Sequence, residues 1–245
     1  MRVFRRRSRA ADHSLPARCS ADARESGDFD GFRSTVGSGL RQIAFLLVPA
    51  AVVSAVLAEP IVRLLYQRGH FLPNQTPVVA SCLAAFSAGL VFNGAMLMLN
   101  RAFFSLRSNW IPTWIALGNL FLNAVLDFAL YRVGVWGIPL ATAICNIAGT
   151  WALLVVLRRR VRRVEGGAIA STTIRVAAAS AVVGVVAWFV WHPLDSALGR
   201  SFPAQLVSLG CALSVAILVY ILGCRLLKVR ELDALLTLRT RLRRA

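Results

Sequence analysis

Three polar side chains, Asn119, Asn123 and Asp127, recur at i, i+4 and i+8 along a stretch that is otherwise almost wholly apolar. On an α-helix that spacing puts all three on one face. In the next apolar stretch Thr142 and Asn146 repeat the interval, with Pro139 just ahead of them. Proline has no N–H to donate, so the carbonyl four residues earlier loses its helical partner, and backbone oxygens around Ile138 become available as ligands. Amide, hydroxyl and carbonyl oxygens with a single carboxylate are the donor set that a hard cation such as sodium requires. The same groups suit hydrogen bonds between helices at about 1 kcal/mol each, and on residue types alone both readings stay open.

A second set, Asn93 and Asn100 seven residues apart and followed by Arg101, also falls on roughly one helical face. It fits either the lining of a polar cavity, joined there by Asn119 and Asn146, or further interhelical hydrogen bonding. Other chemistry is poorly provided for. His13, His70 and His192 stand apart from any paired nucleophile, and no glycine-rich phosphate loop is present. Cys19, Cys82, Cys145, Cys211 and Cys224 are scattered without a C-x-x-C spacing, so neither a structural metal nor a disulfide framework is expected. The expectation is a protein that is not an enzyme and uses no cofactor, with a sodium ion as the one candidate ligand of this kind.

The elements that must carry these residues follow from composition. The chain has 245 residues, 57% hydrophobic and 16% charged, with mean hydropathy +0.64, against roughly 25% charged residues in a soluble domain. Uncharged runs extend over Gln42–Ala58, Thr76–Asn100, Ser108–Leu126, Val133–Leu157, Val176–Trp191 and Ser201–Cys224. About 17 to 25 such residues cross a bilayer as a helix. The first run gains length by starting near Gly39, and the fifth by starting at Ser171 with Arg175 snorkelling. The expected fold is all-α: a polytopic membrane bundle of six transmembrane helices.

The formal charge of +17 is explained by orientation. If the N-terminus lies inside, 24 of the 28 basic residues fall on the cytoplasmic side and only Arg63, Arg68, Arg132 and Arg200 on the other. Both termini are therefore expected in the cytoplasm, and no nucleic-acid partner is needed. Met1–Ala10 is arginine-rich, but no apolar stretch of signal-peptide length follows it, so no cleaved leader is expected.

Along the chain the expected organisation is a basic cytoplasmic segment at 1–38, a four-helix part at 39–157, an arginine-rich cytoplasmic loop at 158–175, two C-terminal helices at 176–224 and a basic amphipathic cytoplasmic tail at 225–245. Within it, residues 1–13 read as disordered and Ser26-Gly27-Asp28 as a turn. Ile61–Gln67 suits a short helix at the outer interface, and Arg68-Gly69-His70 with Pro73-Asn74 a turn into the second span.

Two stretches carry a family resemblance. Gly39-Leu40-Arg41-Gln42-Ile43-Ala44-Phe45-Leu46-Leu47-Val48-Pro49-Ala50 runs on to Leu57-Ala58-Glu59-Pro60-Ile61-Val62-Arg63-Leu64-Leu65-Tyr66-Gln67-Arg68-Gly69-His70-Phe71. This resembles the ninth transmembrane helix and following loop of the MurJ/MviN family, the lipid II flippases of bacterial peptidoglycan synthesis. Arg101-Ala102-Phe103-Phe104-Ser105-Leu106 is similar to the family's motif after the tenth helix. Leu122-Asn123-Ala124-Val125-Leu126-Asp127 and Gly137-Ile138-Pro139-Leu140-Ala141-Thr142 are shared more widely, across the superfamily that includes multidrug/toxin and polysaccharide exporters.

The resemblance covers most of the chain and implies the ninth to fourteenth of the family's fourteen helices. It implies that 39–157 is part of the second lobe, and that the last two helices form an apolar groove for an undecaprenyl tail. Asn123, Asp127, Ile138 and Thr142 match the family's sodium ligands residue by residue, a further acid being expected from a helix outside this chain. The implied partners are lipid II, membrane lipids and a separately encoded N-terminal half, in the cytoplasmic (inner) membrane of a bacterium. The implied activity is alternating-access flipping by a chain incomplete alone. The competing readings are a non-transporting remnant or scaffold, and another superfamily exporter of polysaccharide lipid or drugs.

Overall fold

The computed structural model describes residues 14–67, 73–106, 108–161, 166–199 and 201–226, and among these residues it is built of helices and short turns. They are α1 (Ser14–Val56), α2 (Ala58–Tyr66), α3 (Thr76–Ser105), α4 (Trp110–Leu130), α5 (Gly137–Val161), α6 (Gly166–Leu198) and α7 (Phe202–Leu226), with 3-10 turns at Pro73–Gln75 and Tyr131–Val133. Six segments are long and apolar enough to span a membrane: Ser34–Val56, Thr76–Ser105, Trp110–Leu130, Gly137–Arg159, Ala170–Leu198 and Phe202–Leu226. Large side chains such as Trp114, Phe121 and Phe128 stand exposed on α4. In water such a stripe would be a severe liability; in hydrocarbon it faces its natural solvent.

Boundaries differ from the sequence reading where local signals are weak. Ser26, Gly27 and Asp28 lie inside α1, not in a turn. Glycine costs a helix only about 1 kcal/mol relative to alanine, less than continuous hydrogen bonding through the segment returns. Helix α3 continues past Asn100 to Ser105 and takes Arg101 with it. Helix α5 ends at Val161 and α6 starts at Gly166, so most of the expected 158–175 loop is helical. The segment 1–13, the Arg68-Gly69-His70 turn and the tail beyond Leu226 lie outside the described residues.

Two apolar clusters organise the packing. Val36 and Leu40 of α1 meet Leu99 and Phe103 of α3 and Leu153 and Leu157 of α5. Leu57, at the junction of α1 and α2, meets Val183, Ala187 and Trp191 of α6 and Leu209, Ala212 and Ala216 of α7. The short helix α2 bridges these regions, since Ala58 and Val62 also pack on Ala80 of α3. Close approach is bought by small residues: a Cβ on Gly89 of α3 would stand 2.8 Å from Ala143 Cα of α5. Beside it the Thr150 hydroxyl donates to the Phe92 carbonyl at 2.8 Å, tying α5 to α3.

Candidate functional site

Helices α4 and α5 form an antiparallel hairpin that sets the register of the polar residues. Gly134 has φ 136°, a conformation L side chains rarely adopt, and the Gly137 N–H donates to its carbonyl at 2.9 Å. Gly137 lies so close to the Leu130 carbonyl that no side chain fits there. Twelve residues on, Gly149 faces Asn119, whose Nδ2 would be 3.2 Å from an added Cβ. These two contacts place Asp127 level with the first turns of α5, where Ile138 and Thr142 lie, and Asn123 one turn further along.

Asn123, Asp127 and Thr142 are each partly buried. Thr142 Oγ1 donates to the Ile138 carbonyl at 3.3 Å, so a hydroxyl oxygen and a backbone oxygen stand together, while the Ile138 side chain itself is exposed. Asp127 Oδ1 is fully buried and receives no hydrogen bond among the described residues. A carboxylate oxygen left unsatisfied in apolar surroundings is strongly unfavourable, so this one calls for a donor or a cation. At this level of the hairpin Asn123, Thr142 and the Ile138 carbonyl offer oxygens, the chemistry of a hard monovalent or divalent cation. No group of three or more His, Cys, Asp or Glu that could hold a metal occurs among the described residues.

The other polar residues are distributed differently. Asn119 sits where α4, Gly149 of α5 and Met96 of α3 converge, and Asn146 reaches toward Gly89 of α3. On α3, Asn93 and Arg101 are exposed and Asn100 is partly buried, on a helix whose buried positions include Gly89, Leu99, Ala102 and Phe103. This face of α3 is left open within the described chain.

An apolar groove of about 290 Å³ runs between α1, α6 and α7, lined by residues including Phe45, Pro49, Val53, Val183, Ala216 and Tyr220. The last two helices thus supply one side, and α1 supplies the other wall. At the end of the bundle where α2 meets α6 lies a network that sequence reading treated only as a stray basic charge. Arg63 of α2 donates through Nη1 to both carboxylate oxygens of Asp195 on α6, at 2.9 and 3.1 Å, and through Nη2 to Glu59 at 2.8 Å. Burial of Arg63 works against its charge, but its hydrogen bonds to Asp195 and Glu59 and their negative charge outweigh it and hold the guanidinium pKa above its ordinary value. The Glu59–Arg63 pair was legible as i, i+4; Asp195, 132 residues away from Arg63, was not.

Comparison with known proteins places this arrangement. A protein-family model described as Lipid II flippase MurJ matches residues 17–208. The chain is 28% identical over 212 residues to a probable lipid II flippase MurJ of Synechocystis sp., covering 85% of this chain and 39% of that protein. It is 31% identical over 182 residues to the one of Rhizobium tropici, covering 73% and 34%. Among solved structures it is similar to a lipid II flippase MurJ in an inward closed conformation, with a TM-score of 0.68, 22% identity, and coverage of 82% of this chain and 40% of that one. The chain thus spans between about a third and two fifths of the length of these relatives.

Proposed function

Because the chain belongs to the lipid II flippase MurJ family, we propose that it supplies second-lobe helices and the C-terminal helix pair of a transporter that moves the undecaprenyl-linked peptidoglycan precursor across the bacterial cytoplasmic membrane. The observation that carries this reading is the family match over 17–208, which embraces five of the six membrane-length helices whole or nearly so. Its relatives are flippases, and flipping makes and breaks no covalent bond in the cargo. The work is done by two-sided exposure of a cavity, so the relevant residues are those that bind, tie and release helices.

In this reading the termini and the basic residues Arg101, Arg158 and Arg159 face the cytoplasm, consistent with the charge bias of the chain. The groove between α1, α6 and α7 takes the apolar tail of the cargo, which its wholly apolar lining suits. Asn93, Asn100, Arg101, Asn119 and Asn146 contribute to a polar cavity whose remaining walls belong to other helices of the transporter, carried on a longer chain or on a separate N-terminal half. The chain covers 39% of the Synechocystis relative, so flipping is a property of the completed assembly.

A sodium ion fits the α4–α5 hairpin. The unpartnered Asp127 Oδ1 demands a positive charge there, and Asn123, the Ile138 carbonyl and Thr142 offer further oxygens. These four residues would hold the ion, and when bound it supplies one positive charge that neutralises Asp127. The protein's own contribution is to hold α4 and α5 in a fixed register around that carboxylate, so that ion occupancy favours one arrangement of the hairpin against α3. Growth rescue of a flippase-depleted bacterium tests the whole reading. Rescue is expected when the chain is expressed with the N-terminal helices of a relative, and failure with every such partner, despite stable insertion, contradicts it.

A further inference from the structure

The α6–α7 pair is attached to the rest of the chain by two polar ties, one within the lining of the apolar groove and one beyond its other end. The outer tie is the fork of Arg63 onto Asp195, whose side chains are only 11% and 17% exposed. The inner tie is the Tyr220 hydroxyl, which donates to the Phe45 carbonyl at 2.6 Å. That carbonyl is available because Pro49, four residues on, has no N–H to offer it. Between the ties, α6 touches α1 closely at Gly184, where an added Cβ would stand 2.7 Å from Val52 Cγ1.

The residues of the inner tie also line the groove. Phe45, Pro49 and Tyr220 line its inner part, and Val53 and Val183 line its outer part. The outer tie is mounted on α2, one side of which packs on Ala80 of α3 while Leu57, Ile61 and Leu64 join the cluster formed with α6 and α7. The outer tie is thus joined to α3 through the short helix α2, and the inner tie through α1, which packs on α3 at Gly39 and Gly94. Bidentate arginine–carboxylate bonds fix distance and angle together, which a lone apolar contact does not.

We propose that Arg63 and Tyr220 are positioning residues, Arg63 clamping α6 onto α2 and Tyr220 clamping α7 onto α1, and that together they set the width of the groove. The inference rests on the proposed tail-binding role of the groove for its functional meaning, and on the two ties alone for its geometry. It predicts that loosening either tie widens the groove while the helices stay intact.

The test uses the full chain with its native cysteines replaced and a cysteine pair at Leu46→Cys and Ile217→Cys, which line the groove from α1 and α7. Thiol cross-linkers of short and long reach report the spacing. Arg63→Gln, Asp195→Asn and Tyr220→Phe are each expected to lose the short cross-link and gain the long one. The double change Arg63→Gln with Asp195→Asn should be no worse than either alone. Arg63→Lys, which keeps the charge but not the fork, and Tyr220→Phe, which removes one oxygen, serve where a harsher variant fails to fold. An unchanged cross-link pattern in these two, with helicity retained, overturns the clamp. A photoreactive polyprenyl phosphate is applied to the unmodified groove in parallel. Cross-link shifts without polyprenyl labelling uphold the clamp and remove the tail reading; labelling with unchanged cross-links does the reverse.

Discussion

The hydroxyl of Tyr220 on α7 takes the place of the N–H that Pro49 denies to the Phe45 carbonyl on α1, across 175 residues of sequence. A proline break that would leave an unsatisfied carbonyl in hydrocarbon is repaired by the helix packed against it. Tyr220→Phe should therefore lower thermal stability by about 1 kcal/mol, the cost of leaving one buried acceptor unmade. In a Pro49→Ala background, where the helix regains its own donor, the same change should cost much less. Thermal unfolding of the four proteins in one detergent checks the cycle.

Asp127 should report sodium binding directly. Unfolding of the wild-type chain is expected to shift upward with sodium and not with an equal concentration of a large organic cation, because binding to the folded state alone stabilises it by mass action. Asp127→Asn should abolish the shift, since it removes the carboxylate whose Oδ1 is buried without a hydrogen bond. A sodium response retained in Asp127→Asn would place the ion elsewhere.

The α4–α5 turn should tolerate no side chain at two positions. Gly134→Ala forces a β-carbon onto a φ of 136°, and Gly137→Ala forces one against the Leu130 carbonyl. Each should destabilise by roughly 1–3 kcal/mol and weaken any sodium-dependent shift, because the turn sets the register that puts Asp127 level with the first turns of α5. Gly118→Ala, with open space around its Cβ position, is the control and should be neutral or slightly stabilising.

The Arg63 tie should be insensitive to pH from the arginine side. Its pKa is raised on folding, so its contribution is complete below the unfolded value and lost only as pH rises through the folded one. The destabilisation caused by Arg63→Gln should accordingly be equal at about pH 6 and about pH 9, both far below that range. Equal effects in denaturation curves at the two values are the expected result.

The six spans were legible because hydrocarbon thickness and the cost of charge within it act on every residue of a run, so the signal accumulates over some twenty positions. The polar ladder Asn119, Asn123 and Asp127 was legible for the same reason, as costly exceptions against an apolar background. What stayed hidden depends on single interactions distant in sequence: Arg63 with Asp195, Tyr220 with Phe45, and the wall that α1 adds to the groove. The charge bias gives an expectation for which side of the membrane holds Arg63 but does not say which acid it meets. The turn expected at Ser26-Gly27-Asp28 illustrates the opposite error, a local preference overridden by a helix running through it.

The central claim is that this chain is a working part of a lipid II flippase. Its most direct measurement is the amount of lipid II exposed on the outer face of the cytoplasmic membrane in cells depleted of their own flippase and given this chain with a relative's N-terminal helices. Outer-face lipid II is expected to return toward normal with both parts and to stay low with either alone. Outer-face lipid II that stays low while the two parts are stably inserted and associate in the membrane would contradict it.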